Sequence, residues 1–172
     1  IPIVPAQLGA LVRLRSLFLA GSDFGGSLAF TGQLTELVSL DLGWCQVTDL
    51  APLAALPNLA YLELGHASLP EDFSLPAMTQ LKTLSLGGIK TLKALPSLGN
   101  LPMLTFLSAS ESPALCDVAA LQDATSLETL ILQNCPNIAG ELPVAKCKKL
   151  AHVSLRGTTA QLPAGLEGLS ID

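Results

Sequence analysis

Leucines spaced by three, three and two residues recur along the whole chain, and no single regular element produces that spacing. The clearest copy is the sequence LPNLAYLELG at residues 56–65. Its steps of three suit a tight bend or the end of a helical turn. Its last step, from Leu62 to Leu64, is typical of a strand whose alternate side chains face inward. Each copy therefore predicts a turn followed by a short strand.

The copies follow one another at an almost constant interval of 22 or 23 residues. Their equivalent leucines are Leu14, Leu37, Leu59, Leu81, Leu104, Leu127 and Leu150. A fixed period in this range with this leucine pattern is the signature of leucine-rich repeats. The chain resembles that superfamily over nearly its whole length. The resemblance implies an α/β-type repeat solenoid of seven to eight repeats, and the whole chain, 1–172, is predicted to be a single domain.

One strand per repeat predicts a parallel sheet on the concave face, because only stacking against a neighbour lets each repeat bury its leucines. The strands are expected around residues 16–19, 39–42, 61–64, 83–86, 106–108, 129–132, 152–155 and 168–171. The returning segments carry most of the prolines and glycines, so the convex side should be irregular or 3₁₀-helical. Asp49 and Asp117 are the predicted N-caps of such short helices.

Two sequence patterns occur among the repeats. The segments LPSLGNL at 95–101 and GELP at 140–143 resemble plant-type leucine-rich repeats. The segments VTDLAPL at 47–53 and LCDVAAL at 115–121 are similar to the short repeats of intracellular, bacterial and protist solenoids. The subclass is therefore mixed.

Three residues beyond the last strand leucine, this superfamily usually has asparagine or cysteine. The equivalent residues of this chain are Ser22, Cys45, Ala67, Ile89, Ser112, Cys135 and Thr158. An asparagine ladder would satisfy buried backbone groups in the turns through its side-chain amides. Its absence predicts weaker fixation of the turns, or replacement by water and small hydroxyl groups.

Composition excludes several classes of function. The formal net charge of −5 argues against nucleic acid or an anionic membrane as the partner. No apolar run approaches the roughly 18 residues of a spanning helix, so membrane insertion is not expected. The chain shows no signal peptide and no N-glycosylation sequon. Localisation is therefore left open, although the missing sequon and the lack of paired cysteines favour an intracellular site.

The four cysteines are predicted to be free thiols. Cys45 and Cys135 hold the same slot four repeats apart, about 19 Å at the spacing of a sheet, so they cannot form a disulfide. Cys147 takes a leucine position in the core, and Cys116 should lie near solvent. No metal-binding spacing, catalytic motif or phosphate loop occurs. The sequence therefore predicts no metal, no cofactor and no enzymatic activity.

The outward-facing columns of the sheet carry the candidate binding surface. The only tryptophan and the only tyrosine fall in the first three repeats beside charged residues, and this is the composition of an interface hot spot. The predicted binding residues are Phe18, Asp41, Trp44, Tyr61, Glu63, His66 and Phe106.

Asp41 and Glu63 occupy one column of adjacent strands, so their carboxylates should stand side by side at about 5 Å. Such a pair can dock a cation or an arginine, or it can be a solvated acidic face without a role. Two carboxylates are also what a retaining glycosidase needs, but an open sheet has no cleft that would desolvate a general acid. The sequence thus favours docking over catalysis.

The predicted function is a non-catalytic interaction module that binds a macromolecular partner, a protein, on its concave face. Two alternatives stay open: a ligand-recognition segment of an immune-type receptor or pathogen surface protein, and a structural subunit of a large assembly. The last residues, 169–172, fall inside a predicted strand with no polar cap. The chain is therefore expected to be part of a longer array, or to have its end covered by further chain, a partner or another subunit.

Overall fold

A computed structural model of the chain describes residues 5–166 and 169–172. One short helix, α1 (Pro5–Gly9), precedes the repeats. The strands are β1 (Ser16–Phe18), β2 (Ser39–Asp41), β3 (Tyr61–Glu63), β4 (Thr83–Ser85), β5 (Phe106–Ser108), β6 (Thr129–Ile131), β7 (Ala139–Glu141), β8 (His152–Ser154), β9 (Thr159–Gln161) and β10 (Ser170–Ile171). Eight of them form one parallel sheet in the order β1-β2-β3-β4-β5-β6-β8-β10. The predicted solenoid with a concave parallel sheet is confirmed.

The register of the sheet aligns equivalent residues of successive repeats. Leu40 pairs with Leu17 on one side and with Leu62 on the other, and all three are buried. Burial of one such side chain contributes about 1.5–3 kcal/mol, so the aligned leucines supply the main force that holds the repeats together. The predicted eighth strand is present as β10, but its expected first residue, Gly168, lies outside the described residues.

In the described part of the chain, the convex side contains three five-residue 3₁₀-helices, Ala29–Gln33, Ala51–Ala55 and Ala119–Asp123. The Asp49 carboxylate accepts a hydrogen bond from the Ala51 N–H at 2.8 Å, and the Asp117 carboxylate accepts one from the Ala119 N–H at 2.9 Å. The N-cap residues themselves are Leu50 and Val118. The two aspartates therefore support the helix starts as predicted, but from one residue before the cap.

A second, two-stranded parallel sheet joins β7 to β9, and the sequence analysis did not predict it. All of β7 is exposed, and β9 is exposed at both ends. Strand prediction rests on apolar side chains that face a core, and this pair has little to bury. The one available signal is the GELP wording at 140–143, which includes Gly140 with φ 78°.

Buried thiols form some of the hydrogen bonds that an asparagine ladder would otherwise supply. Cys45 Sγ donates to the Leu19 carbonyl at 3.0 Å, and Cys135 Sγ donates to the Ala109 carbonyl at 3.1 Å. Both bonds connect to the preceding repeat. The prediction that these turns are weakly fixed is therefore wrong at Cys45 and Cys135. Thr158 supplies a hydroxyl instead, as expected, and donates to the Leu155 carbonyl.

The predicted states of the cysteines are confirmed. Cys45, Cys135 and Cys147 are buried, Cys116 is exposed, and all four are free. Burial raises the pKa of each of the three inner thiols, which keeps them protonated as hydrogen-bond donors.

Within residues 5–166 and 169–172, no helix has the length and apolarity required to cross a membrane. No group of three potential metal ligands gathers there either.

Candidate binding surface on the concave face

One backbone position has positive φ in all seven of the leucine-marked repeats. It lies two residues after the last inward residue of each strand, and its φ values range from 56° to 79°. Its occupants are Gly21, Trp44, His66, Gly88, Glu111, Asn134 and Gly157. We call these residues the turn column. A side chain in this conformation costs about 1–2 kcal/mol, and asparagine tolerates it better than a bulky residue does. Trp44 and His66 are therefore the unusual occupants.

Trp44 and His66 form a stacked pair at the edge of the concave face. Their ring centroids lie 3.9 Å apart and their planes differ by 9°. Trp44 is 68% exposed, whereas His66 is half-buried. A Cβ at Gly88 would collide with the His66 imidazole, so the ring lies over this glycine. The next repeat thus leaves room for the pair by having no side chain at its own turn-column position.

The two carboxylates hold the turns that follow their own strands. Asp41 and Glu63 are paired in register on β2 and β3, which places them on neighbouring strands as the sequence predicts. Asp41 Oδ1 accepts a hydrogen bond from the Gly43 N–H at 2.9 Å, and Glu63 Oε1 accepts one from the Gly65 N–H. A Cβ at Gly65 would crowd the Glu63 carboxylate. Each acid-leucine-glycine triplet is therefore a local hydrogen-bonded unit.

Tyr61 lies in the negative field of these carboxylates. Its side chain is 37% exposed on β3. Partial burial raises the pKa of the Tyr61 phenol, and the charges of Glu63 and Asp41 raise it further. The phenol therefore remains a hydrogen-bond donor at neutral pH, beside two acceptors.

Tyr61 and Phe106 frame a shallow groove on the sheet, with a volume of about 380 Å³. The strand between them, β4, contributes only the small side chains of Thr83 and Ser85 to the floor. Two aromatic walls separated by a strand with small hydroxyl side chains leave space for a side chain of a partner. The sequence placed both aromatic residues in one column but did not predict the groove.

Six of the seven predicted site residues thus fall into three pairs. Trp44 and His66 stack in the turn column, Asp41 and Glu63 lie side by side on the sheet, and Tyr61 and Phe106 flank the groove. Phe18 is 67% exposed and pairs in register with Asp41, which extends the surface to the first strand.

No protein-family profile and no curated protein sequence matches the chain. Solved structures do match it. The plant peptide hormone receptor RGFR1, in complex with RGF2, superposes with a TM-score of 0.71 at 22% sequence identity. The match covers 99% of this chain. The chain has the fold of a leucine-rich repeat solenoid.

Other solved leucine-rich repeat structures have a similar backbone. A leucine-rich repeat protein from Leptospira interrogans matches 99% of this solenoid with 22% identity and a TM-score of 0.65. The ectodomain of GASSHO1/SCHENGEN3 from Arabidopsis thaliana matches 94% with 23% identity and a TM-score of 0.68. The solenoid spans 30%, 52% and 20% of the plant hormone receptor, the Leptospira protein and the Arabidopsis ectodomain, respectively.

Sequence reasoning missed the glycines that make this surface possible. Gly43 and Gly65 donate to the two carboxylates, and Gly88 makes room for the His66 ring. Two signals were present in the sequence. The triplet acid-leucine-glycine occurs in consecutive repeats, and a glycine flanks the two rings on either side when the turn column is aligned.

Proposed function

We propose that this solenoid is a non-catalytic module that binds a protein partner on the concave face of its first five repeats. The observation that carries the proposal is where the aromatic side chains lie. The chain has five Phe, one Tyr and one Trp. Four of these seven, Phe18, Trp44, Tyr61 and Phe106, stand on this face or at its edge. Aromatic side chains on a rigid surface are the usual anchors of protein interfaces.

The chemistry of the carboxylate pair supports binding over catalysis. One oxygen each of Asp41 and Glu63 is engaged by a backbone N–H of the following turn. Each carboxylate is thereby fixed in position by its own turn, which suits it to accept hydrogen bonds from a partner. The pair suits a fixed negative charge that a basic group of a partner can approach.

The similar structures support the same class of function. The receptor RGFR1 was solved in complex with RGF2, and GASSHO1/SCHENGEN3 in complex with Casparian strip integrity factor 2. These complexes describe the two named receptors and not the present solenoid. Extending a peptide- or protein-binding role to the present solenoid is part of the proposal, and so is its place within a longer recognition array.

A structural subunit of a larger assembly is the second candidate. Leu11 and Val12, near one end of the solenoid, are 50% and 49% exposed, and Ile171 at the other end is 61% exposed. Apolar side chains at both ends suit packing against other chains. In this alternative the ends bind and the concave face stays open.

Substitutions on two sides of the solenoid test the proposal. We expect the double change Tyr61→Ala plus Phe106→Ala to weaken binding of a captured partner at least tenfold, because it removes both walls of the groove. The matched control is Gln33→Ala, which truncates an exposed side chain on a convex 3₁₀-helix. Unchanged affinity in the double variant, with loss of binding on changing Leu11 and Val12 to serine, would favour the structural subunit instead.

A further inference from the structure

We propose that the open face of Trp44 is a stacking site for the guanidinium group of an arginine in a partner protein. The inference rests on the proposed function, because it specifies the chemistry of the partner at one place on the surface. It starts from two bulky rings in the turn column. The fold itself requires only glycine or asparagine there, so their presence calls for another reason.

The geometry leaves one face of the indole free. His66 covers one face of Trp44 in a nearly parallel stack. The repeats follow in order, so the opposite face is turned towards the first repeat, where the turn column has Gly21. A Cβ at Gly21 would meet no atom within 4 Å. Gly21 therefore places no obstacle at this position and Trp44 is 68% exposed, so one further planar group can join the stack there.

Contacts on one side of the Trp44 indole hold it in a fixed position. Trp44 is stacked on His66, and the His66 ring rests over Gly88, which is buried. Three successive repeats thus hold the ring in place before any ligand arrives. A side chain that is already fixed loses little conformational entropy on binding.

Charge selects a cation as the incoming group. The Asp41 carboxylate is fixed by the N–H of Gly43, the residue directly before Trp44. Its second oxygen, Oδ2, accepts no hydrogen bond within residues 5–166 and 169–172. Asp23, two residues beyond Gly21, is exposed and adds a second negative charge to the first repeat. One basic residue, Lys90, lines a cleft together with Trp44 and His66.

Arginine fits these features better than lysine does. Its guanidinium is planar, stacks on tryptophan, and presents N–H groups in its plane to a neighbouring carboxylate. A lysine ammonium is compact and strongly hydrated, so it gains less from a flat aromatic face. Stacking on Trp44 and a hydrogen bond to Asp41 Oδ2 are interactions that one arginine can make together.

The test uses the single tryptophan as its own reporter. Only one indole N–H signal exists in a ¹⁵N spectrum of the intact chain, because Trp44 is the only tryptophan. The probes are N-acetyl-arginine amide and its neutral isostere, N-acetyl-citrulline amide, with N-acetyl-lysine amide as the charge control. We expect arginine to shift the indole signal saturably, with at least fivefold higher affinity than citrulline or lysine.

Two variants sharpen the test. Asp41→Asn keeps the acceptor for the Gly43 N–H and removes the charge, and it should lower the arginine affinity at least twofold. Asn134→Gly changes an equivalent turn-column position in a distant repeat and should leave it unchanged. Equal binding of citrulline, stronger binding of N-acetyl-phenylalanine amide, or no saturable shift with any probe would each overturn the arginine site.

This result is separable from that of the proposed function. The amide probes report on Trp44 without any partner. The groove between Tyr61 and Phe106 is tested by its own variants. A partner that loses affinity for the groove variant but not for Trp44→Gly would preserve the proposed function and overturn the arginine site.

Discussion

The first and second halves of the solenoid have the same backbone conformation in the turn column and differ in the side chains at these positions. The turn column has φ values of 62° and 58° at Trp44 and His66, and of 57° and 56° at Glu111 and Asn134. The second half fills these positions with side chains that project singly, whereas the first half builds a stacked pair of rings. Because the backbone is the same, the fold does not explain the rings. The difference indicates that the first half has a surface shaped for contact.

Two framework positions, in contrast, carry the same residue in both halves. Cys45 and Cys135 occupy equivalent slots, and each thiol donates to a carbonyl of the preceding repeat at nearly the same distance. Leu40 and Leu130 are both fully buried in the sheet. These two framework positions are thus alike in both halves, whereas the turn column differs.

The largest expected effect concerns glycines of the turn column. Gly88→Ala places a methyl group against the His66 ring at a φ of 71°, so it should destabilise the fold by about 2–4 kcal/mol. Gly21→Ala meets open space at a φ of 67° and should cost about 1–2 kcal/mol. Urea unfolding of the two variants measures the difference. Equal losses would show that the His66 ring does not rest over Gly88.

The next effect separates binding from folding. Trp44→Gly removes a stack worth about 0.5–1.5 kcal/mol and relieves a backbone cost of about 1–2 kcal/mol. The free energy of unfolding should therefore change by less than about 1 kcal/mol, while partner affinity falls at least tenfold. Asn134→Gly is the matched control and should leave affinity unchanged. A loss of stability above about 2 kcal/mol in Trp44→Gly would make the ring structural.

The thiols test whether the framework behaves alike in both halves. Burial raises the pKa of Cys45, Cys135 and Cys147 above the value of 9.0 of a free thiol. The folded chain then retains protons that the unfolded chain releases. Stability is therefore fully present below about pH 9 and is lost as the pH rises towards the higher folded-state values.

Two measurements check this expectation. Urea unfolding at pH 7 and pH 10 should show the loss, and Cys116→Ser should leave its size unchanged because Cys116 is exposed. Alkylation of the native chain should label Cys116 first. Rapid native labelling of Cys45 but not Cys135 would mean that the first half opens more easily than the second.

The smallest effect concerns charge on the sheet. Asp41→Asn retains an acceptor for the Gly43 N–H, so stability should change by less than about 0.5 kcal/mol. Binding of a basic partner should weaken severalfold and depend less on salt. Glu128→Gln removes an exposed charge from the sixth repeat, outside the proposed surface, and is the control. An equal effect of both variants would indicate general attraction to an acidic chain.

The period of the leucines was sufficient to predict the sheet, its register and the outward columns, because burial of an aligned core leaves one arrangement. It also predicted the buried and exposed thiols, since core slots repeat. The stack of Trp44 on His66 was not predicted, because it depends on a positive φ that a leucine pattern does not encode. The exposed sheet of β7 and β9 was missed for a related reason: its residues carry little apolar alternation.

Hydrogen exchange of the solenoid with and without its captured partner tests the central claim most directly. The bound partner should slow exchange of backbone amides in residues 39–66 and 83–88 of the solenoid. The paired acids, the stacked rings and one side of the groove lie in these residues. Amides in residues 129–157, which share the same backbone in the second half, should exchange at unchanged rates. Protection confined to residues 129–157, or to the convex 3₁₀-helices, would contradict binding by the first half of the concave face.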